Sequence, residues 1–430
     1  MVPERPGWPT QGTSRLLGFL RDRGLPFLSG ADDAKLRTLA LGMRAAARRT
    51  MAGPLPPGTA RRGDGAIFAT LGLEDRVRVL TDNRGAFLEK CELVEAARQS
   101  VDCALFYLAD DATGERFAHA LEQAAARGVK VRLCADAYAS VEKQYGPFGY
   151  ALPASRGSLA LVERLRERGC EVHLMGTDHW CMHRKFLFVD RSQLVLGGRN
   201  VADHYAEPGW RDLELFLQGP FARSFTALVD GTFAAPTEEP ACVPGVLAGV
   251  PGGAGRAFER AVSRLVDEAR TSIDIEHAYL LSQPWLVERL RAAVNRGVRA
   301  RAFTNGPRSN DLPFMNWRLA VSLRELLDAG VHVFRCAGVN TLHTKLIVAD
   351  ERKIVFGSTN LDYYSPTYCA ELDIAIESAS LGAELASIIE AGLALSDSEA
   401  VLPGTGTSLE RECRGWSVSR VFDLLLHDIQ

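Results

Sequence analysis

The sequence predicts an α/β protein made of two pseudo-symmetric halves. A long internal repeat points to the halves. Within each copy, amphipathic helices alternate with short apolar strands, which points to α/β layering. The 430 residues, 47% hydrophobic and 24% charged, can bury a sizeable core, so general disorder is excluded.

LVEAARQSVDCALFYL (93–108) matches LVDEARTSIDIEHAYL (265–280), and ARGVKVRL (126–133) matches NRGVRARA (295–302). LVERLRERGCEVHL (161–174) resembles VSLRELLDAGVHVF (321–334), HRKFLFVD (183–190) matches HTKLIVAD (343–350), and GGRN (197–200) matches GSTN (357–360). The offset between copies falls from 172 to 160, a drift that loop lengths absorb. Each copy therefore predicts helix, buried strand, helix, Gly-Val-x-Val strand, helix, a further strand, and two closely spaced strands. The expected organisation is a basic helical extension over 1–76, a first half over 77–240, a Gly/Pro-rich linker over 241–255, a second half over 256–395, and a tail over 396–430.

Charge is unevenly placed. Residues 1–64 hold 11 Lys/Arg against 5 Asp/Glu, a net +6, so the net −3 of the chain leaves −9 on the remainder. That body disfavours a nucleic-acid partner, which needs a positive groove. The leader includes a helical pattern over 32–49. It reads as a solvated basic face on the body, with anionic lipid headgroups as the alternative. Nine scattered cysteines without a CxxC pair fit a reducing compartment better than a disulfide framework or a zinc ribbon. No apolar run is long enough for a transmembrane helix, and the first residues lack a signal-peptide pattern. A cytoplasmic protein, peripheral to the inner face of the cell membrane, is the expectation. Apolar residues of 418–429 recur at helical spacing and predict a tail helix.

The chemistry concentrates in two motifs, His183-x-Lys185 and His343-x-Lys345, each running into an apolar, β-prone stretch and ending in Asp190 or Asp350. On a strand, positions i and i+2 share a face, so each imidazole stands beside an ammonium. A hydrophobic core would not tolerate that pair, whereas a phosphate would partner it. Asn200 follows His183 by 17 residues and Asn360 follows His343 by 17, both behind small residues that admit a ligand to the backbone. Their amides are expected to donate to phosphate oxygens. Asp212 lies 29 residues after His183 and Glu371 lies 28 after His343. Such carboxylates can fix the tautomer of a catalytic imidazole. Asp190 and Asp350 have the opposite pleat parity to the lysines and are expected to cap the turns. His204 and Tyr205 are candidate pocket residues, and His277 and Tyr279 are expected in core packing. A metal site at His179, Cys181 and His183 is not expected, because i,i+4 pairs suit helices. The loops 138–157 and 305–317, with several aromatic residues, are candidates for acyl contact.

Paired HxKxxxxD motifs on two repeated halves resemble the phospholipase D superfamily, over about Val77 to Ser380. FYLADDATG (106–114), GGRNVADHY (197–205), RDLELFLQGP (211–220) and LHTKLIVADERKIVFGSTNLDYYS (342–365) are most similar to bacterial cardiolipin synthases. GGRN with its following acidic-x-Tyr resembles the branch without N-terminal transmembrane helices, which includes enzymes using phosphatidylethanolamine beside phosphatidylglycerol. Cys369-Ala370-Glu371 departs from the Asn-Phe-Glu or Asn-Thr-Glu usual there.

The resemblance implies α/β/α sandwich halves sharing one active site, a phosphohistidine intermediate, and no cofactor or metal. It implies phospholipid substrates and a membrane surface as partners. Carried onto this sequence, it makes His183 the nucleophile and His343 the general acid/base. Lys185, Lys345, Asn200 and Asn360 would surround the phosphate, and Asp212 and Glu371 would support the histidines. A phosphatidyltransferase making cardiolipin is expected first. A phospholipase D releasing phosphatidic acid and a nuclease of the same superfamily remain open, the charge of the body counting against the nuclease. A silent lipid- or partner-binding module is disfavoured because every catalytic position is filled in both halves.

Overall fold

The structure, a computed structural model, describes residues 67–140, 159–176, 180–238, 242–251, 257–312, 316–362, 364–395 and 397–402. The predicted helices at 32–49 and 418–429, His179 and most of the loop 138–157 lie outside the described residues.

The described chain opens with β1 (Ala69–Thr70), which joins the sheet of the second half, and the first half follows with β2 (Arg76–Leu80) and α1 (Asn83–Ala96). It continues through β3 (Ser100–Leu105), α2 (Ala112–Ala126), β4 (Lys130–Asp136), α3 (Ala137–Ser140), α4 (Leu159–Glu167) and β5 (Glu171–Met175). The strands β6 (Cys181–Met182), β7 (Phe186–Val189) and β8 (Gln193–Gly197) follow, then α5 (Asp203–Ala206), β9 (Trp210–Arg211), β10 (Glu214–Gln218), α6 (Pro220–Arg223) and α7 (Thr226–Ala234). The second half runs β11 (Val246–Gly249), α8 (Ala257–Glu268), β12 (Ser272–His277), α9 (Pro284–Asn295), β13 (Arg299–Asn305), α10 (Asn316–Asp328) and β14 (His332–Cys336). It closes with β15 (Thr341–Leu342), β16 (Lys345–Ala349), β17 (Lys353–Gly357), α11 (Tyr364–Tyr368), β18 (Cys369–Glu377), α12 (Ala379–Leu393) and β19 (Ser398–Val401).

The two sheets repeat one topology. The first has the order β2-β10-β8-β7-β3-β4-β5, and the second contains β18-β17-β16-β12-β13-β14 in the equivalent places. In both, the strands joined through helices pair in parallel, and the closely spaced strands pair antiparallel. This is the α/β repeat that the sequence predicts.

Side-chain alternation builds the layers. On β7, Leu187 and Val189 pack with α1, α2 and α4, including Phe87, Phe117 and Leu165. Phe186 and Phe188 point the other way, into a core shared by both sheets. Leu346, Val348, Ile354, Phe356 and Ile374 enter that core from the second sheet, with Phe225 just before α7, Val229 of α7, and Leu385 and Ile389 of α12. The outer face of the second sheet packs on α8, α9 and α10. Burying two faces per sheet explains why the strands read as continuous apolar runs.

The predicted turn roles of Asp190 and Asp350 are visible. Asp190 and Arg191 have φ of 47° and 55°, and Asp350 and Glu351 have 52° and 48°. Two consecutive left-handed residues make the hairpin turn whose twist matches the flanking strands. The Asp190 carboxylate also accepts the backbone N–H groups of Arg98, Gln99 and Ser100, and Asp350 accepts those of Arg270, Thr271 and Ser272. Each thus ties its hairpin to the turn that opens β3 or β12, a longer reach than capping its own turn.

Candidate active site

Two short parallel pairings knit the halves together. β6 pairs with the start of β18, aligning Met182 with Ala370, and β9 pairs with β15, aligning Arg211 with Leu342. In each case one strand runs into a histidine and the other into an acid. The backbone completes the join, because His183 N–H donates to Ala370 O at 2.9 Å and His343 N–H donates to Arg211 O at 2.7 Å.

Spacing counts each acid from the histidine of its own half, but the contacts cross over. His183 Nδ1 lies 2.8 Å from Glu371 Oε1, and His343 Nδ1 lies 2.8 Å from Asp212 Oδ2. A strand running out of one half delivers its acid to the other half's histidine. With Nδ1 occupied, each ring keeps Nε2 for chemistry. Both histidines also sit just ahead of the regular strand rather than on it. β7 begins at Phe186, and β16 at Lys345.

The lysines turn back onto the histidines. Lys185 Nζ donates to His183 O at 2.9 Å, and Lys345 Nζ donates to His343 O at 2.6 Å. Lys345 Nζ also stands 3.1 Å from the His343 ring nitrogens. His343, both lysines and both acids are buried, and His183 keeps 13% of its side chain exposed. Burial, followed by the two ammonium groups, holds both imidazoles well below their usual value. Burial likewise pulls each lysine down to about 8 and raises Asp212 and Glu371. All these shifts have one origin: charge is costly here without a matching counter-ion. An anion of one negative charge beside the lysines counteracts that cost and favours protonating an imidazole.

The two acids are supported differently. Glu371 accepts hydroxyl hydrogen bonds from Ser358, at 2.5 Å, and from Ser365. Asp212, one methylene shorter, has Gly198 where the other half has Ser358. A Cβ on Gly198 would lie 2.6 Å from Asp212 Oδ2, so only glycine leaves the carboxylate its place. Burial of Arg184 reinforces the Glu371 side. Its guanidinium donates to the carbonyls of Glu371 and Gly249 and to Thr232 Oγ1.

Asn200 departs from its expected role. Its Oδ1 accepts Phe106 N–H and its Nδ2 donates to Tyr205 Oη, both at 2.9 Å, so the amide shapes the pocket wall. Asn360 differs: its Oδ1 is buried without a hydrogen-bond partner among the described residues. Tyr205 stands 5.6 Å from His343 between ring centroids, and Tyr107 Oη lies 3.0 Å from His204 Nε2. Tyr279 belongs to the site rather than to core packing. Its ring lies 6.2 Å from His343 and 5.8 Å from Lys345 Nζ. His277 is buried and accepts Leu361 N–H.

Three residues at the site escaped the sequence reading. Asp136 accepts Met182 N–H at 2.7 Å, and Asn305 accepts Leu342 N–H at 2.9 Å, fixing the residue before each histidine. They occupy matching ends of β4 and β13, so extending the alignment of 126–133 with 295–302 by three residues would have found them. Asp311 accepts Tyr279 Oη–H at 2.7 Å, and its signal was only its place in the loop 305–317. Of that loop's aromatic residues, Phe314 lies outside the described residues.

The family model described as "Cardiolipin synthase, PLD-like domain" matches residues 91–214 and 262–392, one segment in each half. The chain belongs to this family. It is 28% identical over 350 residues to cardiolipin synthase A of Pseudomonas aeruginosa, covering 75% of this chain and 68% of that protein. Cardiolipin synthase A of Escherichia fergusonii is 24% identical over 337 residues, covering 73% and 68%. The fold is similar to that of phosphatidylserine synthase from Haemophilus influenzae Rd KW20, with a TM-score of 0.62 at 12% identity over 81% of this chain and 94% of that one. Among the described residues, no helix is long and apolar enough to cross a membrane.

Proposed function

We propose that the protein is a phosphatidyltransferase of phospholipid metabolism, cardiolipin synthase-like, working through a phosphohistidine. The single observation that carries this reading is the crossed pair of His–carboxylate contacts, with both lysines beside them, in a chain of that family.

In the proposed reaction, Nε2 of neutral His183 attacks the phosphorus of a phosphatidyl donor. Burial favours that neutral form. The bond to the headgroup oxygen breaks, and His343 gives that oxygen a proton. The phosphate anion itself helps His343 hold the proton beforehand, because it offsets the lysine charges. A lipid hydroxyl then enters, His343 takes its proton, the new oxygen attacks phosphorus, and the bond to His183 breaks. Lys185 and Lys345 stabilise charge on the non-bridging oxygens, with the Asn360 amide N–H as a further donor in this reading. Asp212 and Glu371 hold the imidazoles. Phosphatidylglycerol is the proposed donor and acceptor, with phosphatidylethanolamine as a second substrate. The membrane surface is the proposed place of work, and the +6 charge of residues 1–64 supports an electrostatic approach to anionic lipid.

The test supplies phosphatidylglycerol vesicles, with and without phosphatidylethanolamine, and separates products by lipid mass spectrometry. Cardiolipin is the expected product. Phosphatidic acid alone would make the protein a hydrolase, and DNA cleavage without any lipid product would overturn both. Deleting residues 1–64 is expected to weaken binding to anionic vesicles at low salt.

A further inference from the structure

We infer that Cys181 and Cys369 are a site of reversible disulfide formation that ties the two halves together beside the reaction centre. The inference does not depend on which lipid reaction the centre performs.

Three observations converge. Cys181 and Cys369 are direct partners in the parallel register of β6 and β18. Register partners project to the same face, and neighbouring strands put their Cα atoms about 5 Å apart, inside the roughly 4.4–6.8 Å that a disulfide spans. The thiols interact with one another, and both are reduced in the structure. Finally, they stand two residues ahead of Glu371 and His183, the first crossed contact of the site.

The pair is specific. The other inter-half pairing, β9 with β15, sets Trp210 opposite Thr341 at the equivalent position. Among the described residues, no other two cysteines are register partners. Cys103, Cys134 and Cys336 all face other residue types across their ladders.

Access gives the order of events. Cys181 is partly exposed and Cys369 is buried, with burial holding the Cys369 thiol well above its usual value. The co-reactant is a low-molecular-weight disulfide such as oxidised glutathione. The Cys181 thiolate attacks it, forms a mixed disulfide and releases one thiol. Cys369 sulfur then attacks Cys181 sulfur, forms the Cys181–Cys369 bond and expels the second thiol. Two protein thiols are oxidised, one small disulfide is reduced, and the two protons leave on the two released thiols.

The experiment uses the full chain in glutathione buffers of increasing oxidising poise. Free thiols are quenched by alkylation, and the protein is digested for mass spectrometry. Expected is a linked peptide pair containing Cys181 and Cys369. The link should disappear with dithiothreitol and in Cys181→Ser or Cys369→Ser. The linked form should melt at a higher temperature than the reduced form. Exposed Cys242 is the internal control for oxidation. A glutathione adduct at Cys242 with Cys181 and Cys369 still alkylated would overturn the inference. So would a stable glutathione adduct at Cys181 that never resolves. A link that forms without raising the melting temperature would remove the tether.

Discussion

Glu371 is held by two serine hydroxyls and reaches His183, while Asp212 relies on the space above Gly198 to reach His343. Both acids orient an imidazole, so Glu371→Gln and Asp212→Asn are each expected to lower kcat on the order of 10²–10⁴-fold with the fold intact. Circular dichroism and lipid turnover measured on the same samples check this. His183→Ala and His343→Ala should each abolish turnover, and full activity in either would sink the two-histidine mechanism. The pH profile follows from the shifts. The nucleophile must be neutral, and His183 is depressed, so the acid limb of kcat/KM should fall below about pH 6.5, the usual histidine value. His343 must be protonated to act as the acid and is depressed as well, so the alkaline limb of kcat/KM should also begin below about pH 6.5, and loss of the lysine charges at about 8 should steepen it. Bound phosphate stabilises the ammonium form, so the alkaline limb of kcat should lie higher than that of kcat/KM. At this scale, the two histidines, the two lysines and the two acids that the structure brings together were legible, because chemistry requires unusual residue types in repeated spacing. Their partners were not. Which acid meets which histidine depends on contacts 188 and 131 residues apart in sequence, and no spacing encodes that. Asn200 was misread for the same reason: its partners, Phe106 and Tyr205, are set by tertiary packing.

Strands and turns set the precision of the centre. Asp190 and Asp350 each collect three backbone donors from the turn before the neighbouring strand. Replacing either by Ala is expected to cost stability of about 1–3 kcal/mol in denaturant titration. The folded fraction should keep its turnover, which separates these aspartates from the reacting groups. Gly198→Ala should do the reverse. Its new methyl would press on Asp212, so turnover should fall more than tenfold, on the order of the effect of displacing a catalytic group. The β-prone flanks FLFV and LIVA located the strands correctly, but the short pairings that begin at Cys181 and Thr341 carry too few residues to leave a periodic pattern. The histidines were therefore placed on strands although they sit just before them.

On the scale of the whole molecule, the halves are joined by charge as well as by strands. Arg211, beside Asp212, reaches across to Glu276 at 2.8 and 3.0 Å and to Ile388 O at 3.1 Å. Glu276 is fully buried, and Arg211 keeps 25% of its side chain exposed. Arg211→Ala should therefore cost about 3 kcal/mol, the low end for stranding one member of a buried pair, and should lower turnover by loosening the segment that presents Asp212. The repeat made the two halves readable, since stacked apolar runs need two covered faces. The interface between them was not, because its core draws on both sheets at once. The crossed strands carry one more consequence. If two copies traded their second halves, every crossed contact would re-form with the donor chain changed and its geometry kept. The connection between Ala234 and Val246 thus decides whether a centre closes within one chain or across two. Folded His183→Ala and His343→Ala proteins should stay inactive when mixed. Unfolding and refolding them together is the treatment in which such an exchange would reassemble an intact centre.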